Sequence, residues 1–359
     1  MSSDAMIDWD VAARAGKRVV RAGPEVSLHE AKSAVAQLRE SALAADAHVS
    51  AITKIAQPPH TAPTLVVDRA GWIDVNSESV GHLMAPLVDK LASANATSGV
   101  GKLVGSRVTG TEAGVVLGFL ASRVLGQFDV FGPRGGQLLL VAPNIIDAER
   151  KLDVNPTDFR LWVCLHEVTH RLQFTAVDWI GQYMRTQIAD LVDASDLDSD
   201  SLKQKIKEVA GELKDRKRSG DREPGLGIVS LAQSPQQRAI IERMTAVMSL
   251  LEGHAEYVMD AVGPSVVPSV AEIRRKFKRR RAGRSPIDRV FRKLLGLEAK
   301  MRQYAEGRKF IDGVVDEVGM DGFNRVWATP DNLPTMTELR DPALWVKRVQ
   351  PLGITPGAS

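Results

Sequence analysis

Two histidines four residues apart, with a glutamate beside the first, restrict how this chain can fold more than any other feature. In His166-Glu167-Val168-Thr169-His170, both imidazoles reach one ion only if the segment is helical. At about 100° per residue, positions i and i+4 lie on nearly the same face, one turn apart. The flanking sequence supplies that helix. Asn155-Pro156-Thr157-Asp158 is a helix start, with a capping side chain, a proline in the first turn and an acid at the positive end of the dipole. Leu161, Val163, Leu165 and Val168 give the helix its apolar residues, and it is expected to run through Phe174 and on towards Leu191. Glu167 stands at the flank of the histidine face. From there its carboxylate can serve as general base towards water held by a divalent ion without taking a coordination position.

A catalytic zinc site takes a third protein ligand and leaves a fourth position open. The apolar periodicity predicts a long helix over Gln236–Val262, and inside it Glu252, Glu256 and Asp260 recur at steps of four as one acidic stripe. Carboxylates on a buried helix repel one another unless a cation neutralises them. His254 lies about 200° from Glu252 and faces elsewhere. Glu252, Glu256 and His254 are all acceptable third ligands by chemistry alone. Cys164 sits two residues before His166, rotated by about 200° from it, and is expected to be a buried core thiol. As the single cysteine it excludes an internal disulfide and a Cys-rich zinc knuckle, and it is compatible with a reducing compartment.

The rest of the chain predicts a mainly α fold with a small β-sheet beside the active-site helix. Helical spacing covers Asp8–Arg21 and Ser27–Ile55, Thr64-Leu65-Val66-Val67-Asp68 reads as a short strand, and an amphipathic helix passes through Val80, Leu83, Leu87 and Leu91. A small, Gly-rich loop is expected at Ser93–Gly105, a helix at Thr111–Gly126 and a strand at Gln137–Ala142. Beyond the motif helix come an acidic loop at Ala194–Ser201, a charged helix at Lys203–Lys217, a connector at Gly220–Gly227, and helices at Val270–Arg281, Pro286–Leu295 and Glu298–Val318. With 359 residues, the chain divides into an N-terminal helical region, 1–106, and a catalytic region, 107–359, or forms one continuous domain.

Hydrophobic and charged shares of 44% and 25% exclude wholesale disorder. A net charge of +3 is too slight to imply a nucleic-acid partner. The eight basic residues of Arg274–Arg284 are expected to form a solvated helix face, because no nucleic-acid fold signature accompanies them. His29, His48, His60 and His82 have no metal-ligand spacing. No secretory signal opens the chain, and the apolar stretch Ala113–Leu125 is interrupted by Gly118, Ser122 and Arg123 and is shorter than the ~20 residues a membrane span needs. A cytoplasmic protein without a membrane partner is the expectation.

The phrase Glu252-Gly253-His254-Ala255-Glu256-Tyr257 resembles the Glu-Gly-x-Ala-x-Tyr phrase of gluzincin peptidases, in which the leading glutamate is the third zinc ligand. The resemblance implies Glu252 as ligand and Glu256 as an acceptor for a ligand imidazole, although the gap from His170 is longer than in the aminopeptidases that share the phrase. Asp8-Trp9-Asp10, Gly23-Pro24-Glu25, Asp68-Arg69-Ala70-Gly71-Trp72, Leu138–Asn144, Leu161–Phe174, Leu250–Asp260 and Gln303-Tyr304 together resemble the zincin-like hydrolases of actinobacteria. One branch of these is named for its association with deazaflavin coenzyme biosynthesis.

What this implies is a mostly helical zincin-like metallopeptidase fold, one zinc ion held by His166, His170 and Glu252, and cleavage of a peptide or small amide with Glu167 as base. The alternatives are a small-molecule amidohydrolase in coenzyme metabolism and a zinc-stabilised binding protein without catalysis. In zincins an edge strand before the active helix binds substrate backbone, a place that Gln137–Ala142 can take if it is not simply a buried core strand. Tyr257 or Tyr304 can supply a phenol to an oxyanion, or can be a packed ring.

Overall fold

The computed structural model describes residues 7–58, 61–94, 99–133, 135–194, 234–282 and 297–350, with the backbone alone at 86–94, 99–109, 278, 280–282 and 297–305. The chain begins with two capped helices. Asp8 accepts from the Val11 amide at the start of α1 (Trp9–Val19), and Ser27 accepts from the Glu30 amide at the start of α2 (Leu28–Thr53). Strand β1 (Thr64–Val67), α3 (Arg69–Ala94) and α4 (Gly99–Ala121) lead to β2 (Gly126–Asp129) and β3 (Gln137–Val141). Then follow α5 (Ala142–Leu152), α6 (Pro156–Ala176), α7 (Ile180–Asp193), α8 (Pro235–Ala261), α9 (Val270–Ala282) and α10 (Leu297–Phe323). The last of these is interrupted at Gly319, where φ is 70°. Short helical turns, α11 (Met336–Arg340) and α12 (Pro342–Val349) complete the described chain. The architecture is the expected one, mostly helical with one small sheet.

That sheet has three strands in the order β1-β3-β2. β3 runs parallel to β1, with Leu138 opposite Thr64, and antiparallel to β2, with Leu140 opposite Gly126. The centre position corrects the edge-strand expectation for Gln137–Ala142. All five residues of β3 are buried, Leu138 and Leu140 on the core shared with α2 and α6, Leu139 and Val141 on a second one with Trp72, Ile73 and Leu117. A strand covered on both faces reads as a continuous apolar run, which is what Leu138-Leu139-Leu140-Val141 is. Both of its edges are already paired, so it can accept no further strand. The edge nearer the motif helix is β2, which begins at the residue expected to end the Thr111–Gly126 helix.

Helix α6 is the buried axis of the fold. Leu38, Ala42, Ala45 and Val49 of α2 pack against it with Phe159, Val163 and Cys164, and the Cys164 thiol lies 3.7 Å from the Leu38 carbonyl it donates to. On the other side lies α8, which crosses α10 almost backbone to backbone. A Cβ on Gly307 would overlap the Ser249 carbonyl, and one on Gly253 would overlap the backbone of Gly307. The close approach fixes the helix that carries Glu252.

Three further expectations are corrected. The Ser93–Gly105 stretch is helical at Ser93–Ala94 and again from Gly99. The motif helix stops at Ala176 and a new one begins at Ile180, with Val177 to Trp179 breaking the run. Part of the basic run is bound into the fold rather than solvated: Lys276 pairs with Glu272 at 2.8 Å and Phe277 packs edge-on against Trp162 at 5.2 Å, while Arg275 and Arg279 are exposed. The expected segments at 195–201, Lys203–Lys217, Gly220–Gly227 and Pro286–Leu295 lie outside the described residues. The 106/107 division falls inside α4, and β1 on one side of it pairs with β3 on the other. Among the described residues no helix is long and apolar enough to cross a membrane.

Candidate metal centre

Asn155 caps α6 by accepting from the Asp158 amide at 3.1 Å, and Asp158 in turn accepts from the Ser269 amide and hydroxyl at 2.8 and 2.6 Å. On the helix so anchored, the His166 and His170 rings meet at 87° with centroids 4.7 Å apart. Their Nε2 atoms are 3.2 Å from each other. Glu252 reaches across from α8, with Oε2 3.7 Å from His166 Nε2 and Oε1 3.8 Å from His170 Nε2. Around a tetrahedral zinc with bonds of ~2.0–2.1 Å, ligand atoms stand ~3.3 Å apart, so this donor triangle is close to what the ion requires.

The far side of each ring decides what its Nε2 offers. His166 Nδ1 lies 3.2 Å from the Met259 sulfur, and His170 Nδ1 lies 2.9 Å from Gln173 Oε1. Both neighbours can accept, an arrangement that fits a proton on each Nδ1 and a lone pair on each Nε2. Two lone pairs and a carboxylate facing one another repel unless a cation lies among them. The donor set therefore fits a zinc ion, which His166, His170 and Glu252 would hold with a fourth position open.

Glu167 is only 6% exposed. Burial first, and the negative charge of Glu252 second, push its carboxyl well above the usual range in the metal-free protein. Gly126 of β2 lies directly against it: a Cβ there would be 2.5 Å from Glu167 Cγ and 2.9 Å from Oε1. Sequence inspection had no means of connecting that glycine to the site.

The acidic stripe divides three ways. Glu252 faces the histidines. Glu256 lines a cavity of about 540 Å³ together with His166, Glu167, Met259 and Trp162. Asp260, in the same cavity, is neutralised by Arg274 at 2.6 Å and by Arg308. Arg308 also holds Asp312 and donates to the Glu256 carbonyl at 3.0 Å. His254 is fully buried between Phe323 and Trp327, with centroids 5.2 and 5.5 Å away. Burial, and then the neighbouring His170, lower its pKa to about 3, so it is neutral. Tyr257 packs into the α7–α8–α10 core with the Arg308 guanidinium 5.2 Å from its ring, and is not part of the cavity wall. Burial and then Asp312 raise its phenol pKa, against Arg308. The side chain of Tyr304 lies outside the described residues.

Sequence reasoning missed Gln173 and Met259. For Gln173 a signal existed, a lone amide three residues after His170 and between two large apolar residues, Leu172 and Phe174. Met259 reads as ordinary core.

Residues 7–346 match the family described as zincin-like metallopeptidase. No curated protein sequence matches the chain. A crystal structure from Chloroflexus aurantiacus, of a provisionally assigned hydrolase with a novel fold, is 28% identical with a TM-score of 0.70, and the match covers 97% of this chain and 100% of that one. Neither match carries the actinobacterial branch or the coenzyme association.

Proposed function

The chain belongs to the zincin-like metallopeptidase family, and from that premise we propose that it is a zinc-dependent peptidase in which His166, His170 and Glu252 hold one zinc ion and Glu167 is the general base. The observation that carries this reading is the convergence of two Nε2 lone pairs and the Glu252 carboxylate on one point, one residue along α6 from a buried carboxyl. When bound, zinc supplies Lewis-acid polarisation of a carbonyl and lowers the pKa of water into the neutral range. Everything else is the work of this chain. Glu167 takes a proton from the attacking water on its carboxylate and returns it to the leaving nitrogen. Its burial beside the histidine pair shields the proton from bulk solvent between the two transfers.

The β2 edge and the cavity beside it offer the substrate a bed. Among the described residues β2 is paired on one side only, so its outer edge can take an extended peptide backbone. The cavity walls of Trp162, Met259 and Phe277 suit one apolar side chain of that peptide. Glu256 faces the same space, where its carboxylate can meet a substrate amine; the Nδ1 atoms of the ligand imidazoles lie against Met259 and Gln173 instead.

The test is Glu167→Gln in the zinc-loaded protein, assayed on a quenched-fluorescent peptide library. Zinc stoichiometry is expected to stay at wild-type level while hydrolysis falls by about 10²–10⁴-fold. Undiminished hydrolysis would remove Glu167 as base, and a wild-type protein that binds no zinc would remove the metal centre.

A further inference from the structure

We propose that Gln173 is a positioning residue that holds His170 in the tautomer with Nε2 unprotonated, and that the backbone carbonyl of Leu251, next to Glu252, determines which way Gln173 faces. The proposal rests on the metal-site reading above. It adds that the two helices supplying the ligands are keyed to each other before any ion arrives.

Gln173 is 0% exposed. A buried amide needs a partner for each polar atom, and three surround it. His170 Nδ1 is 2.9 Å from Oε1, while the Leu251 carbonyl and His254 Nδ1 are 3.0 and 3.1 Å from Nε2. The two ends of an amide are told apart by their neighbours, and here one neighbour is unambiguous. A backbone carbonyl can only accept, so the end facing Leu251 is the NH2 group; reversing the amide would set two carbonyl oxygens against each other in a fully buried site. The oxygen end therefore faces His170, and since it too can only accept, the proton of that imidazole sits on Nδ1. The lone pair is left on Nε2, directed at His166 Nε2 and Glu252.

The second amide proton goes to His254 Nδ1, which places the His254 proton on Nε2. Among the described residues that nitrogen has no hydrogen-bond partner, and the ring lies against Phe323 and Trp327. An apolar side chain would fill the same space without leaving a buried polar atom unpaired. The histidine is accounted for by what it does at its other nitrogen, which is to hold the Gln173 amide from a second side. The sequence of contacts runs from Leu251 and His254 on α8 through Gln173 to His170 on α6, so the turn that presents Glu252 also sets the protonation pattern of the ligand opposite.

The experiment is histidine 15N NMR on the full-length, metal-free protein at alkaline pH, with His170 assigned by substitution, together with zinc titration against a chromophoric chelator. In the wild type His170 is expected to show the Nδ1–H tautomer. Gln173→Met, of similar volume but without the amide, is expected to shift His170 towards Nε2–H and to weaken zinc binding by about 10–100-fold. A wild-type His170 protonated on Nε2 overturns the proposal, and this reading needs no variant to fold. A folded Gln173→Met protein with wild-type tautomer and zinc affinity also overturns it, since a purely structural role would alter stability alone. A wild-type protein that binds no zinc yet keeps the Nδ1–H tautomer overturns the metal-centre reading instead.

Discussion

Replacing Gly126 with alanine puts a single methyl group between the sheet and the proposed base, and the structure gives the size of the conflict. The new Cβ would stand 2.5 Å from Glu167 Cγ, 2.6 Å from Cδ and 2.9 Å from Oε1, where ordinary contact begins at 3.4 Å. Something must therefore retreat by about 1 Å, and neither backbone is free to do so. Gly126 is paired with Leu140 in the sheet, and α6 is packed between α2 and α8. The Glu167 side chain yields.

Overpacking of this kind costs roughly 1–3 kcal/mol. The loss of backbone freedom in the unfolded chain offsets about 0.4–1 kcal/mol of it. The net destabilisation is then about 1–2 kcal/mol, with turnover down by about 10²-fold because a 1 Å misplacement of a reacting group has effects of that order. Zinc affinity is expected to stay unchanged, since Glu167 is not a ligand.

A companion change separates this cause from a general effect on the strand. Glu167→Asp withdraws the carboxyl by one methylene and makes room for the methyl, so the double variant should recover about 1 kcal/mol relative to the sum of the singles. Denaturant unfolding of the four metal-free proteins measures it. Strict additivity, or a Gly126→Ala protein with full turnover, would refute the idea that β2 positions the base.

Two other predictions use groups that take no part in the proposed proton transfers. His254 has a folded pKa of about 3, below its unfolded value of ~6.5, so between those limits the unfolded chain holds one more proton and stability falls as pH drops through the window. His254→Leu should flatten the acid limb of the metal-free protein by up to about 1.4 kcal/mol per pH unit between pH 6 and 4. Unfolding curves whose midpoints move in parallel with the wild type over that range would contradict it; the amide proton of Gln173 left unpaired by this change shifts all pH values alike. Cys164 is fully buried, and burial, with Glu167 adding and Arg171 opposing, pushes its thiol far up. A thiol-reactive dye is expected to label it only at the rate of unfolding, and labelling of the native protein at the rate of a free thiol would show that α2 does not cover α6 as described.

What could be read from the residues and what could not divides along the range of the interactions. The α6 start was legible because its cap, proline and acid are neighbours in sequence, and Asn155 does accept from the Asp158 amide. The break at Val177 to Trp179 was not, because no glycine or proline marks it and the helix ends there for tertiary reasons: the Trp179 indole donates to the Trp327 carbonyl 148 positions away. β3 was legible as a strand, and its unbroken apolar run also signalled cover on both faces. Its centre position depends on β2, and Gly126-Gln127-Phe128-Asp129 is too short and mixed to announce itself.

The same division runs through the site. Local spacing put His166 and His170 on one helical face, but no local rule brings Glu252 to them across the intervening residues, and a family phrase was needed to choose it from Glu256 and His254. The acidic stripe required cations without saying which. Asp260 is neutralised by Arg274 from a run expected to be solvated and by Arg308 from another helix, which leaves Glu252 as the carboxylate of that stripe facing the histidines. Because arginines already neutralise the far end of the stripe, the case for a metal ion rests on the near end alone, where two imidazole lone pairs and one carboxylate converge and no arginine or lysine of the described residues is paired with Glu252.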